Sequence, residues 1–144
     1  MSTRMVRVVV AVFGILGSSI WCAAQPADPA PGGIRLLPGY RHHTGMGIDS
    51  HVGRLWKENG LSIGYDIGVL AGNYTEYEAK VKAVWFKEQV IGGRSVQLAL
   101  TSDQMLYVTF PEVRANFFGR VQSEEDVTDM LLMVLTYAPT EKLK

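Results

Sequence analysis

Every histidine of the chain falls between Gly39 and His51, in "GYRHHTGMGIDSH": His42, His43 and His51, with Asp49 among them. Three imidazoles and a carboxylate could together hold zinc, copper or nickel, and a single histidine could serve in proton transfer. The spacing works against both. His42 and His43 are adjacent, so in an extended chain they point to opposite faces. Asp49 and His51 are two apart and could share a strand face, which supplies two ligands at most. Gly45 and Gly47 permit the bend that would gather the rest, but a site built on such a loop is imprecise. His42, His43, Asp49 and His51 are therefore the metal-ligand candidates. The expectation is that they are polar loop residues, with no stoichiometric metal and no cofactor.

Other chemistry is sparse. A general acid/base pair drawn from Asp49, Glu58 and Asp66 would need two carboxylates held close with pKa values pushed apart. Glu58 lies in the "KENG" turn and Asp66 on the polar side of an alternating run, so both read as surface. No phosphate-binding glycine motif, H-E-x-x-H or G-x-S-x-G occurs, and the acidic residues do not space as a calcium loop. Trp56, Tyr65, Trp85 and Tyr107 could form an aromatic binding surface. Their types suit strands and carry large burial terms, so core is expected for each. Asn73-Tyr74-Thr75 satisfies an N-glycosylation sequon, which decides nothing alone.

The elements that would position these residues are mostly strands. Asn59-Gly60 suggests a type I′ hairpin turn. After it Leu61, Ile63, Tyr65 and Ile67 alternate with polar residues and glycine, and Leu55 and Trp56 lie in the partner strand. Gly64 and Gly68 suggest a bulge or a close approach of another backbone. Gly92-Gly93 marks a second hairpin, followed by Val96, Leu98 and Leu100 on one face. "TSDQ" turns the chain into "MLYVTFP", with Leu106, Val108 and Phe110 on one side. "ANFFGRV" adds a strand. Residues 75–89 fit two periods. As a helix they offer a Thr75–Glu78 capping box; as a strand, Tyr77, Ala79, Val81 and Ala83 alternate. We read strand, because the Gly92-Gly93 hairpin needs a partner running back through Trp85. The alternation shifts phase near Val84, which a bulge would explain.

Ser123 is a good helix N-cap, with Glu124, Glu125 and Asp126 in the first turn. Val127, Met130, Leu131, Val134 and Leu135 form an apolar stripe at helical spacing, and Pro139 stops the helix. Leu132 and Met133 lie off the stripe and are candidates for a homodimer contact. The fold class expected is α+β: an antiparallel β-meander, twisted or partly closed, with one C-terminal helix packed on it.

The N-terminus has the order of a secretory signal peptide over residues 1–24: Arg4 and Arg7, the uncharged run Val8–Trp21, then small residues ending at Ala24 before Gln25. That run is shorter than the roughly 20 residues of a membrane span. Cys22 raises the minor alternative of a lipid-modified cysteine, but bulky Trp21 precedes it. Residues 25–33, "QPADPAPGG", read as a Pro/Gly-rich linker, and residues 34–144 as a single small domain. Cleavage would remove the one cysteine, hence any disulfide or thiolate chemistry. It would also take two of the 14 basic residues, leaving 12 against 14 acidic ones. That balance excludes a basic nucleic-acid-binding face and attraction to anionic lipid. The reading is an exported, secreted or periplasmic, small non-catalytic binding domain. Its partner would be an envelope or extracellular protein, or a small molecule. The alternatives are a metal-dependent protein or hydrolase using the histidines, and a small-ligand carrier built as a partly closed barrel.

Overall fold

The computed structural model describes residues 29–139; the signal segment and its Ala24–Gln25 junction lie outside them. Seven strands form one open antiparallel sheet: β1 (Tyr40–Thr44), β2 (His51–Lys57), β3 (Ser62–Ile67), β4 (Ala83–Ile91), β5 (Arg94–Thr101), β6 (Met105–Phe110) and β7 (Ala115–Arg120). One helix, α1 (Glu124–Val134), follows. The order β1-β2-β3-β7-β6-β5-β4 joins two meanders by antiparallel pairing of β3 with β7, Tyr65 opposite Phe117. The α+β class with a C-terminal helix is as the sequence suggests. The sheet does not close into a barrel.

Local chemistry explains the turns. Gly92 and Gly93 both take left-handed φ, 58° and 78°, so Ile91 and Arg94 pair across a two-residue link. The first hairpin differs from expectation. Only Asn59 is left-handed there, at φ 54°. The Lys57 N–H reaches the Leu61 carbonyl at 3.1 Å, so three residues form the loop and the turn is not type I′. The phase shift at Val84 is a bulge between Ala83 and Trp85. Gly68 is a close approach to the backbone of Ser50, whereas at Gly64 the Phe118 ring occupies the space a Cβ would need.

Residues 75–82 are helical, which corrects the strand reading of that half of the segment. A π-type turn (Thr75–Ala79) runs into a 3₁₀ turn (Lys80–Lys82) before β4 begins. Asn73 starts the turn by accepting the Glu76 N–H at 2.9 Å, the capping role typical of Asn. The turn covers one face of the sheet, where Thr75 and Ala79 are fully buried.

Helix α1 covers the opposite face. Ser123 accepts the Asp126 N–H at 3.1 Å, and Asp126 accepts the Gln122 N–H at 2.8 Å. The buried helical residues are Met130, Met133 and Val134; Leu131 and Leu135 are only partly buried. Met133 thus faces the core, which corrects its place in a dimer contact and leaves Leu132 exposed alone. Beneath the helix lie Leu55, Ile63, Tyr65, Val96, Val108, Phe110 and Phe117, joined by Ile34, Tyr40 and Tyr137. Fixed contacts begin before Ile34, inside the expected linker: Ala30 packs on the core, and the Gly32 carbonyl accepts the Ala138 N–H at 2.7 Å. Among the described residues no helix is long and apolar enough to cross a membrane.

Candidate functional site

The histidine stretch folds as the β1–β2 hairpin. His42 pairs with Leu55 and His43 with Arg54, so the two imidazoles lie on opposite faces, as alternation requires. His42 is on the helix side. Its Nε2 is 2.8 Å from the Tyr65 hydroxyl, and the two rings stack at 5.7 Å. His43 and His51 are exposed, His51 opposite Ile67 at the start of β2. Asp49 is exposed in the loop before β2. Among the described residues, no group of three or more His, Cys, Asp or Glu side chains is gathered as a metal ion would require.

Asp66 is not simply a surface residue. Its Oδ2 accepts the Tyr74 hydroxyl at 2.7 Å, and its Oδ1 is buried without a hydrogen-bond partner among the described residues. The carboxylate hydrogen bond, then burial, pushes the Tyr74 phenol up to about 12. Glu58 is exposed in its turn. Of the four aromatic candidates, Tyr65 is core. Trp56 is half-buried, with Arg41 and Arg54 over its ring at 5.5 and 5.8 Å. Tyr107 is half-buried beside Phe118, and burial raises its phenol pKa. Trp85 departs from the core expectation: it stands 41% exposed on the edge strand β4.

The surface most suited to binding lies where histidine-based reasoning did not look, at the tip of the same hairpin. Met46 and Ile48 are fully exposed, at 101% and 100%, between Gly45 and Ser50. The β3 exit loop stands beside them, with Val69 half exposed and Leu70 at 70%. Two clefts open here, about 590 Å³ between the hairpin tip and Val69, and about 450 Å³ from Val69 to Tyr77 and Arg114. They share Val69. The bases of both loops are tied down. The Gly45 N–H donates to the Val52 carbonyl at 2.8 Å, and the Gly68 N–H to the Arg114 carbonyl at 3.2 Å; the Arg114 guanidinium in turn donates to the Val69 carbonyl. Folding thus holds apolar tips in water on an anchored base. The signal was legible as two large apolar residues inside a glycine loop, where polar residues are expected.

A second exposed apolar strip runs along β4, with Val84, Trp85, Val90 and Ile91. Lys87 and Glu88 stand exposed in its middle. Charges on an edge strand are a common guard against pairing with another sheet, so β4 reads as a protected edge. A lone exposed Leu132 calls for no explanation, since scattered apolar surface residues are ordinary. No protein-family model matches this chain, and neither a curated protein nor a solved structure is similar to it.

Proposed function

We propose that this chain is a small non-catalytic binding domain that engages its partner through the loop end of the sheet and works after export. The observation that carries the reading is the group Met46, Ile48, Val69, Leu70 and Tyr77, each about half exposed or more, around two adjoining clefts. Apolar side chains in contiguous exposed groups mark interaction sites far more often than scattered ones do. The export part rests on the order of residues 1–24 and on the composition. The engagement of His42 with Tyr65, and the separation of His43, Asp49 and His51, favour binding over metal-assisted hydrolysis. The open sheet, filled beneath its helix by its own side chains, supports a surface binder more than a barrel-type carrier.

A photoreactive amino acid at position 48, compared with one at Leu132, tests the reading in the exported fraction. Position 48 is expected to give one discrete adduct and position 132 none. Equal yields at the two positions, or no adduct of any kind, protein or lipid, at 48, would rule it out. Intact mass of the exported chain is expected to start at Gln25.

A further inference from the structure

We infer that the loop end docks on a lipid bilayer surface, with Met46, Ile48 and Leu70 entering the interfacial layer. This deepens the binding reading above and rests on it. Three observations point to lipid as the occupant.

The first is shape. Met46 and Ile48 project fully into solvent from a glycine-flanked tip. A protein partner must supply a matching concavity for such a tip, whereas a fluid bilayer accepts it without one.

The second is where the chain ends lie. Tyr137 packs on Phe110 and Phe117, at 5.4 and 5.3 Å between ring centroids. Phe110 closes β6 opposite Ala115, which stands beside Ile67 at the end of β3. This is the end that carries the exposed loops. Gly32, bonded to Ala138, therefore puts both ends of the described chain at the loop end. In the sequence, Pro29 lies eight positions after Trp21, the last residue of the uncharged run. Eight extended residues span at most about 28 Å. Before cleavage, a bilayer holding that run would lie within about 28 Å of this end of the sheet.

The third is charge. Among the described residues, Asp49, His51, Arg94, Glu112 and Arg114 are the ionisable groups around the loops at this end. The Arg94 and Arg114 guanidiniums donate to the Tyr137 and Val69 carbonyls, and no lysine stands beside them. Attachment would be apolar, weak and reversible, and indifferent to anionic headgroups, which are recognised by Lys and Arg clusters.

The test uses the exported protein with phosphatidylcholine vesicles and with vesicles enriched in phosphatidylglycerol, read by co-sedimentation. A fluorophore on Ile48→Cys or on Leu132→Cys reports which surface enters. Similar partitioning into both vesicle types is expected, unchanged by salt, with a blue shift from position 48 alone. Ile48→Ser should lower the partition coefficient about tenfold, the effect of removing one buried aliphatic side chain. The triple Met46→Ser, Ile48→Ser, Leu70→Ser variant should lose partitioning while keeping its melting curve. Absence of partitioning by the parent protein overturns the inference, as does undiminished partitioning by the folded triple variant, or an equal shift from position 132. A discrete protein adduct at position 48 without vesicle binding would remove the lipid and leave the binding reading standing. Failure of both experiments would remove both.

Discussion

Phe117 and Asn116 are neighbours in β7, both fully buried, and they point to opposite faces of the sheet. Phe117 packs beneath the helix, edge-on to Phe110 at 6.1 Å and against Tyr137. Asn116 sits beneath the helical turn Thr75–Ala79 among polar groups. Its Oδ1 accepts the Tyr74 N–H at 3.0 Å and the Thr109 hydroxyl at 2.9 Å, and its amide donates to the Gly72 carbonyl at 2.7 Å. Because the Thr109 proton goes to Asn116, the Thr75 hydroxyl must be the donor in its 2.7 Å contact with Thr109. Asn73 extends the network to Gln97 at 2.7 Å. One face is thus held by non-directional apolar burial, the other by directional bonds with few alternatives. Apolar packing tolerates adjustment but supplies most of the stability. The polar network adds little net energy per bond, yet leaves a large penalty if one member is removed.

The comparison can be broken at its strongest point first. Phe117→Ala should lower unfolding free energy by about 3–5 kcal/mol, measured by denaturant titration, and should loosen the whole domain. Asn116→Ala should lower it by about 2–4 kcal/mol, because the Tyr74 N–H and the Gly72 carbonyl lose their partner in a dry site. Its mark should be regional: amide exchange should accelerate over residues 72–82 more than in β3 or β6. Uniform acceleration would mean that the two faces are one cooperative unit.

Tyr74→Phe should be milder, about 1 kcal/mol, the net worth of one hydrogen bond. It also changes the pH response. The folded-state pKa of Tyr74 is raised to about 12 from an ordinary 10. The folded chain therefore holds this proton more tightly than the unfolded chain. The stabilisation is complete below pH 10 and is lost as pH rises from 10 to 12. Tyr40 adds to the same loss, since burial and its hydrogen bond to Asp129 raise its phenol pKa too. Part of the alkaline destabilisation should therefore vanish in Tyr74→Phe; an unchanged pH profile would show that the Asp66 contact contributes nothing. The smallest effect belongs to the exposed loop end. Ile48→Ser should move stability by no more than about 0.5 kcal/mol, because Ile48 packs on nothing that folding buries. A larger loss would mean that the tip belongs to the core and is not held ready for a partner.

Much of the fold could be read locally. The Gly92-Gly93 turn, the alternation along β3 and β6, the break in phase at Val84 and the Ser123 cap each depend on residues within a few positions of one another. Other features depended on distant residues. The apolar stripe Val127, Met130, Leu131, Val134 and Leu135 is buried fully only at Met130 and Val134; the sheet also takes up Met133 from outside the stripe, while Leu131 and Leu135 are only partly buried. Position on the helix defines a broad apolar arc, and the facing surface chooses which part of it to bury. Asp66 read as a surface carboxylate because its strand alternates, yet Tyr74 folds back over it. The histidines stand out by type, while Met46 and Ile48, in the same hairpin, are marked in the sequence only as apolar residues in a glycine loop, and their full exposure is a property of the fold.

Residues 75–82 mark the boundary between the two kinds of information. Locally, strand and helix were nearly balanced there, because the charges pair at helical spacing while the apolar residues alternate. Thr109 and Asn116, more than thirty positions along the chain, tip that balance: they offer Thr75 and the Tyr74 backbone hydrogen bonds that exist only once β6 and β7 are paired. The chain alone sets the Gly92-Gly93 turn, the Ser123 cap and the strand alternation, since those energies are local. The joining of β3 to β7, the face the helix presents, and the helical state of 75–82 were settled by partners that meet only in the folded state.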